Sequence, residues 1–342
     1  MMYNLVRNMN QYRSGGTRRG TVRCRKRRSS GTGFLSWRGM MNKTVEFQEH
    51  NALLDDRQAM RRQMAADGFL FFRGLLPVEE ITALRRQILE VCDNYGWIAP
   101  GTELMDGIAD PSADGMEPFC GVGVPPEAYG DVQRLESFHR FAHNPTLIEM
   151  LGQLIDETVL VHALKIARLM IPAKGNAPTP AHQDHIFIQG SKTVYTCWIP
   201  LGECPRELGG LSVLRGSHKL GILPVREAEG AGGRHVIFAD EDAPQEWFET
   251  DFQVGDVLVF HSLTVHKSIP NRTENQIRLS VDFRYQPPSL PIEVKSITPH
   301  CNVLPWEEIY AGWESKELQY YWEQYDLEFL EHDDSLVAVQ EA

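Results

Sequence analysis

The sequence contains no hydrophobic run close to the roughly 20 apolar residues that a helix needs to cross a bilayer. It has only six cysteines in 342 residues, and no two of them are spaced as Cys-x-x-Cys. This spacing argues against a zinc finger, and we expect reduced thiols in an intracellular, cytoplasmic protein without a disulfide framework. The composition, 42% hydrophobic and 23% charged, predicts a globular protein with a large buried core.

Acidic residues are absent from the first 40 positions, which carry nine arginines and Lys26. We expect residues 1–42 to form a disordered basic leader. It can be read as an organellar transit peptide, as a basic arm that meets nucleic acid weakly, or as sequence upstream of a true start at Met40 or Met41, and the last is favoured.

All 46 acidic residues follow this leader, and the formal net charge of the whole chain is −12. An acidic body repels phosphates, so we predict no nucleic-acid partner for the folded part. A membrane partner is not expected either, and the sequence does not indicate an oligomeric state.

The hydrophobic period changes from helical to strand-like along the chain. Helices are predicted at 53–66, from Pro77 to Gly96, at 133–158, and as one or two acidic helices within 306–333. Strands are predicted at 69–72, 159–171, 182–188, 194–200, 211–215, 234–238, 252–260, 264–268 and 277–286. This order predicts an α+β protein with a mainly β core, a jelly roll with flanking N- and C-terminal helices, as one domain over 43–342. The irregular stretch 97–131 is either a lid or binding loop or a surface excursion.

Three residues have the chemistry of a metal site. On an extended strand, residues i and i+2 point to the same side, so His182 and Asp184 would present an imidazole and a carboxylate to one point. His266, on a later predicted strand, would complete the two histidines and one carboxylate of a non-haem Fe(II) site. His-x-Asp alone is a weak motif, so the interpretation depends on what accompanies it. The neighbours His185 and His261 should point elsewhere, and His218 is expected to fix a loop.

A second group of residues indicates an anion. The last predicted strand has one apolar face and one polar face, and the polar face carries Arg278, Ser280, Asp282 and Arg284. A guanidinium and a hydroxyl facing the interior of so hydrophobic a strand would bind a carboxylate. Arg284 is the rival of Arg278 for this role. Lys165, on an otherwise apolar face of the strand at 159–171, either meets an anionic ligand or reaches water at a sheet edge.

Several segments together resemble the phytanoyl-CoA dioxygenase family. They are Ala181 to Asp184, Thr196 to Leu201, Gly209 to His218, His266 to Asn271, and Arg278, with Asp67-Gly68-Phe69 and the helix at Pro77 similar to the family's N-terminal region. The resemblance runs from about residue 60 to 290. It implies an Fe(II)- and 2-oxoglutarate-dependent oxygenase on a cupin-like double-stranded β-helix.

The resemblance also implies roles for single residues. His182, Asp184 and His266 would bind iron, and Arg278, assisted by Ser268, would bind the C5 carboxylate of 2-oxoglutarate. Trp198 and Lys165 occupy positions that often border this cosubstrate in such proteins. Related halogenases have a small residue in place of the carboxylate ligand, so Asp184 favours hydroxylation.

The function implied is hydroxylation of an unactivated C–H bond of a small molecule, with consumption of 2-oxoglutarate and O₂ and release of succinate and CO₂. Acyl-CoA thioesters, amino-acid derivatives and secondary metabolites all stay open as substrates. One alternative is a cupin-like metal-binding protein or a non-oxidative metalloenzyme on the same fold, which would have no use for Arg278. The other is a catalytically silent member that acts as a binding module.

Overall fold

The computed structural model describes residues 43–113, 119–172, 177–240 and 245–339, so the leader predicted for 1–42 lies outside the described residues. Within these ranges, the helices are α1 (Arg57–Asp67), α2 (Val78–Asn94), α3 (Pro126–Gln133), α4 (Glu136–Phe141), α5 (Pro145–Ile155) and α6 (Trp306–Tyr310). The strands are β1 (Lys43–Glu46), β2 (Phe69–Phe72), β3 (Leu160–Val161), β4 (Ile166–Met170), β5 (Tyr195–Pro200), β6 (Leu211–Leu214), β7 (Val225–Glu227), β8 (Arg234–Val236), β9 (Glu246–Glu249), β10 (Val257–His261), β11 (His266–Ser268), β12 (Arg278–Gln286), β13 (Ile292–Glu293) and β14 (Phe329–Leu330).

Two sheets form the centre of the structure. The larger sheet has the strand order β2-β10-β5-β12-β3, and β4 also pairs with β12. The smaller sheet has the order β1-β9-β6-β11. A cluster rich in aromatic side chains lies between the sheets, with Phe69 and Trp198 from the larger sheet and Val213 and Phe248 from the smaller one. The structure is thus a mixed α+β, sheet-rich fold that is consistent with a jelly roll.

Helices cover the other face of the larger sheet. Helix α2 begins after Pro77 and has Glu79 and Glu80 in its first turn, where the helix dipole favours acids. Its buried face includes Ile81 and Leu84, as the apolar spacing predicts. These side chains belong to the largest apolar cluster, which also contains the apolar face of β12. The helical layer therefore fixes one face of β12 and leaves the other to face the smaller sheet.

The helix predicted over 133–158 is instead divided between α4 and α5. Helix α3 lies mostly within 97–131, the stretch predicted to be irregular. Helix α5 begins at Pro145, and the Asn144 side chain accepts a hydrogen bond of 2.9 Å from the Thr146 N–H. A proline at the first helical position and an asparagine cap define a new start rather than a continuation. The strand predicted over 159–171 is likewise divided into β3 and β4.

The tail is predicted to form one or two acidic helices, but it contains little helix. Only α6 and a short 3-10 turn, Tyr321–Gln324, are helical within 306–333. Aromatic rings pack together there, with Trp306 5.3 Å from Trp322 and 5.2 Å from Tyr310 between centroids. Tertiary ring contacts, not an apolar helical stripe, hold this segment against the body.

The expectation of six reduced thiols is also wrong. Cys120 and Cys301 form a disulfide with a Cα–Cα distance of 6.6 Å, within the usual range. The two residues are 181 positions apart, so no local spacing could indicate the pairing. Cys92, Cys197 and Cys204 are free and buried.

A membrane helix is not found in the part of the chain that the structure describes: each helix there is too short or too polar to span a bilayer.

Candidate metal centre

His182, Asp184 and His266 come together, and each offers one ligand atom within 4.8 Å of the other two. His182 and His266 are paired as an antiparallel bridge in which each backbone N–H donates to the other's carbonyl at 3.0 Å. Asp184 Oδ1 lies 3.6 Å from His182 Nε2 and 3.6 Å from His266 Nε2. Three donor atoms from two distant chain segments therefore face one point.

The local backbone differs from the predicted strand over 182–188. Gln183 is extended, with φ −111° and ψ 133°, and a 3-10 turn, Asp184–Ile186, follows it. One extended residue is enough to put its two neighbours on the same side. The Gln183 amide points away and bonds the carbonyls of Gly221 and Leu263 at 2.8 Å each. The shared side of His182 and Asp184 is thus confirmed, but the bridge to His266 supports it instead of a strand.

Backbone carbonyls orient both imidazoles. His182 Nδ1 lies 2.8 Å from the Pro180 carbonyl, and His266 Nδ1 lies 3.0 Å from the Thr264 carbonyl. These bonds put the proton on Nδ1 and leave the Nε2 lone pair facing the centre. Burial lowers the pKa of His266 to about 3, so this ring is neutral at physiological pH. A neutral imidazole is what a divalent metal ion requires of a histidine ligand.

Asp184 stays ionised although it is buried. Burial opposes the charge, but the nearby Arg284 guanidinium favours it, and the pKa of Asp184 is held well below its usual range. One carboxylate oxygen and two imidazole nitrogens on one side of a point match the donor set that non-haem Fe(II) oxygenases use. The chemistry of the donors therefore fits iron.

A cavity of about 930 Å³ opens on the metal ligands. Its wall includes His182 and Asp184, apolar side chains such as Ile166 and Phe187, and the disulfide residues Cys120 and Cys301. This space lies directly against the proposed metal position and is large enough for a small organic molecule.

Arg278 lies at a second, smaller cavity of about 60 Å³, which Ser268 and Asn271 also border. Its side chain is only 2% exposed and donates a 2.7 Å hydrogen bond to Ser280 Oγ. Among the described residues, no carboxylate lies within ion-pair distance of this guanidinium. A buried cation without an acid needs an anion, and a carboxylate would supply it.

Arg284, the rival arginine, is already paired. Its Nη2 lies 3.1 Å from Asp184 Oδ2, and Thr196 Oγ1 donates to the same oxygen at 2.6 Å. Sequence reasoning did not single out Thr196. The available signal was the alternation of strand β5, where Thr196 shares a face with Trp198.

Two predicted cosubstrate neighbours lie elsewhere. The Lys165 ammonium donates to the His162 carbonyl at 3.2 Å and to the Tyr321 hydroxyl at 3.1 Å, in the layer that carries the tail. Trp198 packs edge-on against Phe252, with 4.8 Å between ring centroids. Neither Lys165 nor Trp198 therefore lies on the wall of the cavity beside the metal ligands or of the cavity beside Arg278, and their predicted place next to the cosubstrate stays a prediction.

The other histidines stay outside the ligand cluster, as expected. His261 Nδ1 accepts from the Leu263 N–H at 3.1 Å, and His218 Nε2 lies 3.2 Å from the Ala65 carbonyl. His185 directly follows Asp184 in the chain but contributes no atom to the cluster.

Comparison with known proteins gives a consistent result. Residues 64–280 match the family model described as Phytanoyl-CoA dioxygenase (PhyH). The 1-deoxypentalenic acid 11-beta-hydroxylase of Streptomyces exfoliatus is 30% identical over 273 residues, which cover 76% of this chain and 92% of that protein. The peroxisomal phytanoyl-CoA dioxygenase of Rattus norvegicus is 25% identical over 233 residues, which cover 66% of this chain and 67% of that protein.

A solved structure shares the fold. The crystal structure of the epimerase SnoN in complex with Fe3+, alpha ketoglutarate and nogalamycin RO superposes with a TM-score of 0.51 at 19% identity, covering 70% of this chain and 86% of that one. At this identity the likeness concerns the fold alone.

Proposed function

The chain belongs to the phytanoyl-CoA dioxygenase family and is a non-haem iron- and 2-oxoglutarate-dependent hydroxylase that uses O₂, and we propose that its substrate is a small, largely apolar carboxylic acid. The substrate proposal is supported by the cavity at the metal ligands, whose wall combines apolar side chains with a few cations. It is also supported by the similarity to a hydroxylase of 1-deoxypentalenic acid.

We propose that His182, Asp184 and His266 hold the iron. The observation that carries this proposal is the convergence of their three ligand atoms within 4.8 Å. When bound, iron with 2-oxoglutarate and O₂ supplies the oxidising chemistry, in which 2-oxoglutarate is converted to succinate and CO₂ and one oxygen atom enters the substrate. The chain's part is to orient both imidazoles and to keep the carboxylate ionised.

Arg278 is proposed to bind the C5 carboxylate of 2-oxoglutarate, together with the Ser268 and Ser280 hydroxyls. The support is its burial, its lack of an acid partner within ion-pair distance in the described ranges, and the small cavity beside Ser268. Lys165 and Trp198 are left out of this proposed cosubstrate site, since their side chains contact the tail and the apolar core instead.

Lys295 is proposed to meet the substrate carboxylate. Its side chain lies on the cavity wall, is 54% exposed and is 3.7 Å from Glu293. Glu293 is already bonded to His332 at 2.6 Å and to the Gln189 N–H at 2.5 Å, so the lysine is not needed to satisfy it. A half-exposed ammonium beside an apolar wall suits an amphiphilic acid. The apolar wall would also keep water away from the reacting carbon.

The finer fold and domain organisation belong to the same proposal. We assign a double-stranded β-helix, and the support is that the chain alternates between the sheets. Strands β4 and β5 lie in the larger sheet, β6 and β9 in the smaller, β10 in the larger, β11 in the smaller and β12 in the larger. Residues 43–342 are proposed to be one domain. A non-oxidative metalloenzyme on this fold would have no use for the buried, acid-free Arg278.

The test is release of succinate from 2-oxoglutarate with Fe(II) and ascorbate, over a panel of apolar carboxylic acids. We expect a subset to stimulate release by wild type and none to stimulate His182→Ala. Equal release by both proteins would contradict the metal assignment. The methyl esters of the active acids, and Lys295→Met, test the substrate class. If esters and acids are turned over equally, the hydroxylase stands and the carboxylate recognition does not.

A further inference from the structure

The two oxygens of Asp184 have different surroundings. Oδ1 faces the Nε2 atoms of His182 and His266 at 3.6 Å each. Oδ2 points the other way, accepts from Thr196 Oγ1 at 2.6 Å, and lies 3.1 Å from Arg284 Nη2. One oxygen is thus directed at the proposed metal position and the other is held by the protein.

The two groups that hold Oδ2 are built into the larger sheet. Thr196 on β5 and Arg284 on β12 are direct cross-strand neighbours, so their side chains leave the sheet side by side. Thr196 is 0% exposed and Arg284 is 3% exposed. Both contacts to the carboxylate are charge-assisted hydrogen bonds in a buried setting, which makes them strong and directional.

Arg284 is paired with the Asp184 carboxylate at 3.1 Å. In the portion of the chain that the structure describes, Asp184 is the carboxylate within ion-pair distance of it, and the Arg284 Nε atom is buried without a hydrogen-bond partner. The neighbouring acid on the same strand, Asp282, pairs with Arg168 at 2.7 Å. Pairing on this face of β12 therefore directs Arg284 to the metal ligand.

A fixed Oδ2 has a chemical consequence. If His182, Asp184 and His266 hold the iron through one atom each, the remaining coordination positions would be available to 2-oxoglutarate and O₂. If the carboxylate turned both oxygens towards the metal, it would take one of these positions. Hydrogen bonds from Thr196 and Arg284 oppose that rotation.

We propose that Arg284 and Thr196 are positioning residues that restrict Asp184 to binding the metal through one oxygen and so keep the remaining positions open. This inference rests on the proposed function, because it requires His182, Asp184 and His266 to be the metal ligands. It concerns residues that act through Asp184, and of the two Arg284 also lines the cavity of about 930 Å³.

The experiment is anaerobic titration with Co(II) as the probe metal. Binding is monitored by the d–d absorption of the bound Co(II). Partners of metal ligands typically change metal affinity by roughly 10- to 100-fold. We expect a loss of that size in Thr196→Val, which keeps the shape of the side chain but removes the hydroxyl, and in Arg284→Met. Thr196→Ser should restore the affinity because it restores the donor. Arg284→Lys should restore it in part, because the charge returns without the planar fork.

The matched control is Arg73→Met. Arg73 pairs with the fully buried carboxylate of Asp256 at 2.5 Å, in a part of the larger sheet that contributes no metal ligand. We expect Arg73→Met to lower the melting temperature but to leave the Co(II) affinity and spectrum unchanged. In Thr196→Val and Arg284→Met, the spectrum should change as well as the affinity, because the carboxylate binds in a different way.

The outcomes separate this inference from the proposed function. If wild type and His182→Ala bind Co(II) equally, the proposed metal site is wrong. The positioning inference is overturned, and the metal site stands, if two results are found together. Wild type binds Co(II) and His182→Ala does not, and Thr196→Val and Arg284→Met match wild type within about twofold with the same spectrum. If Arg284→Met does not fold, the comparison of Thr196→Val with Thr196→Ser decides.

Discussion

Strand β12 carries two buried arginines on one face, and their surroundings differ. Arg278 has a serine hydroxyl and a small cavity beside it, and no acid within ion-pair distance in the described residues. Arg284, six residues further on, lies 3.1 Å from the carboxylate of Asp184. The same residue type on the same face therefore lies beside a small cavity at one end and beside a carboxylate at the other, which is the basis of the two roles proposed above. What distinguishes them is the partner, not the burial.

The largest expected effect separates the two arginines directly. Arg278→Met should weaken 2-oxoglutarate binding by about 1,000-fold, or roughly 4 kcal/mol, because the cosubstrate carboxylate would lose its charged partner in a buried site. Its Co(II) affinity should stay close to that of wild type. Calorimetric titration of the metal-loaded protein with 2-oxoglutarate measures the first quantity. If Arg278→Met binds 2-oxoglutarate as tightly as wild type, Arg278 and Arg284 do not differ in the way described.

Lys165 extends the comparison to a buried amine that, among the described residues, contacts neutral oxygens and the face of the Tyr321 ring. Burial lowers the pKa of Lys165 to about 7, from an ordinary 10.5. Between these values the unfolded chain binds more protons than the folded protein, so the free energy of unfolding should rise with pH. We expect wild type to gain on the order of 3 kcal/mol relative to Lys165→Met between pH 6.5 and 9.5.

Urea denaturation of both proteins at the two pH values measures this difference. Using Lys165→Met as the reference cancels the titration of the other groups. Parallel pH curves for the two proteins would mean that Lys165 keeps its charge in the folded state.

Arg278→Lys keeps the positive charge but removes the planar guanidinium group. A lysine cannot grip a carboxylate through two parallel N–H bonds, so we expect cosubstrate binding to weaken roughly tenfold, far less than in Arg278→Met. The same titration measures it. A lysine variant as weak as the methionine variant would indicate that shape, not charge, controls this cavity.

Ser268→Ala is expected to weaken cosubstrate binding by about as much as Arg278→Lys does. Loss of one hydroxyl donor to a charged carboxylate should cost about 1 to 2 kcal/mol, seen as a rise of roughly 5- to 30-fold in the KM for 2-oxoglutarate. Asn271, which borders the same cavity, offers a second position for comparison. If Ser268→Ala leaves this KM unchanged, Ser280 is the hydroxyl that accompanies Arg278.

Much of the site could be predicted because it depends on local alternation. His182 and Asp184 share a side because one extended residue separates them, and the polar and apolar faces of β12 follow from the strand period. The predictions that were wrong concern segments whose form depends on distant contacts. The tail after Trp306 is held by aromatic packing, and Cys120 pairs with a cysteine 181 positions away.

By itself, the sequence determined which side chains can serve: the His-x-Asp pair, the later histidine, and a strand with two arginines on its polar face. Only the tertiary structure decided how they are used. Arg284 meets Asp184 because β5 and β12 pair in the register that puts Thr196 opposite Arg284, and because His182 bridges to His266. Alternation is a property of a single strand, whereas register and bridging depend on two segments far apart in the chain. The strand pattern therefore identified both arginines, and the tertiary structure determined the partner of each.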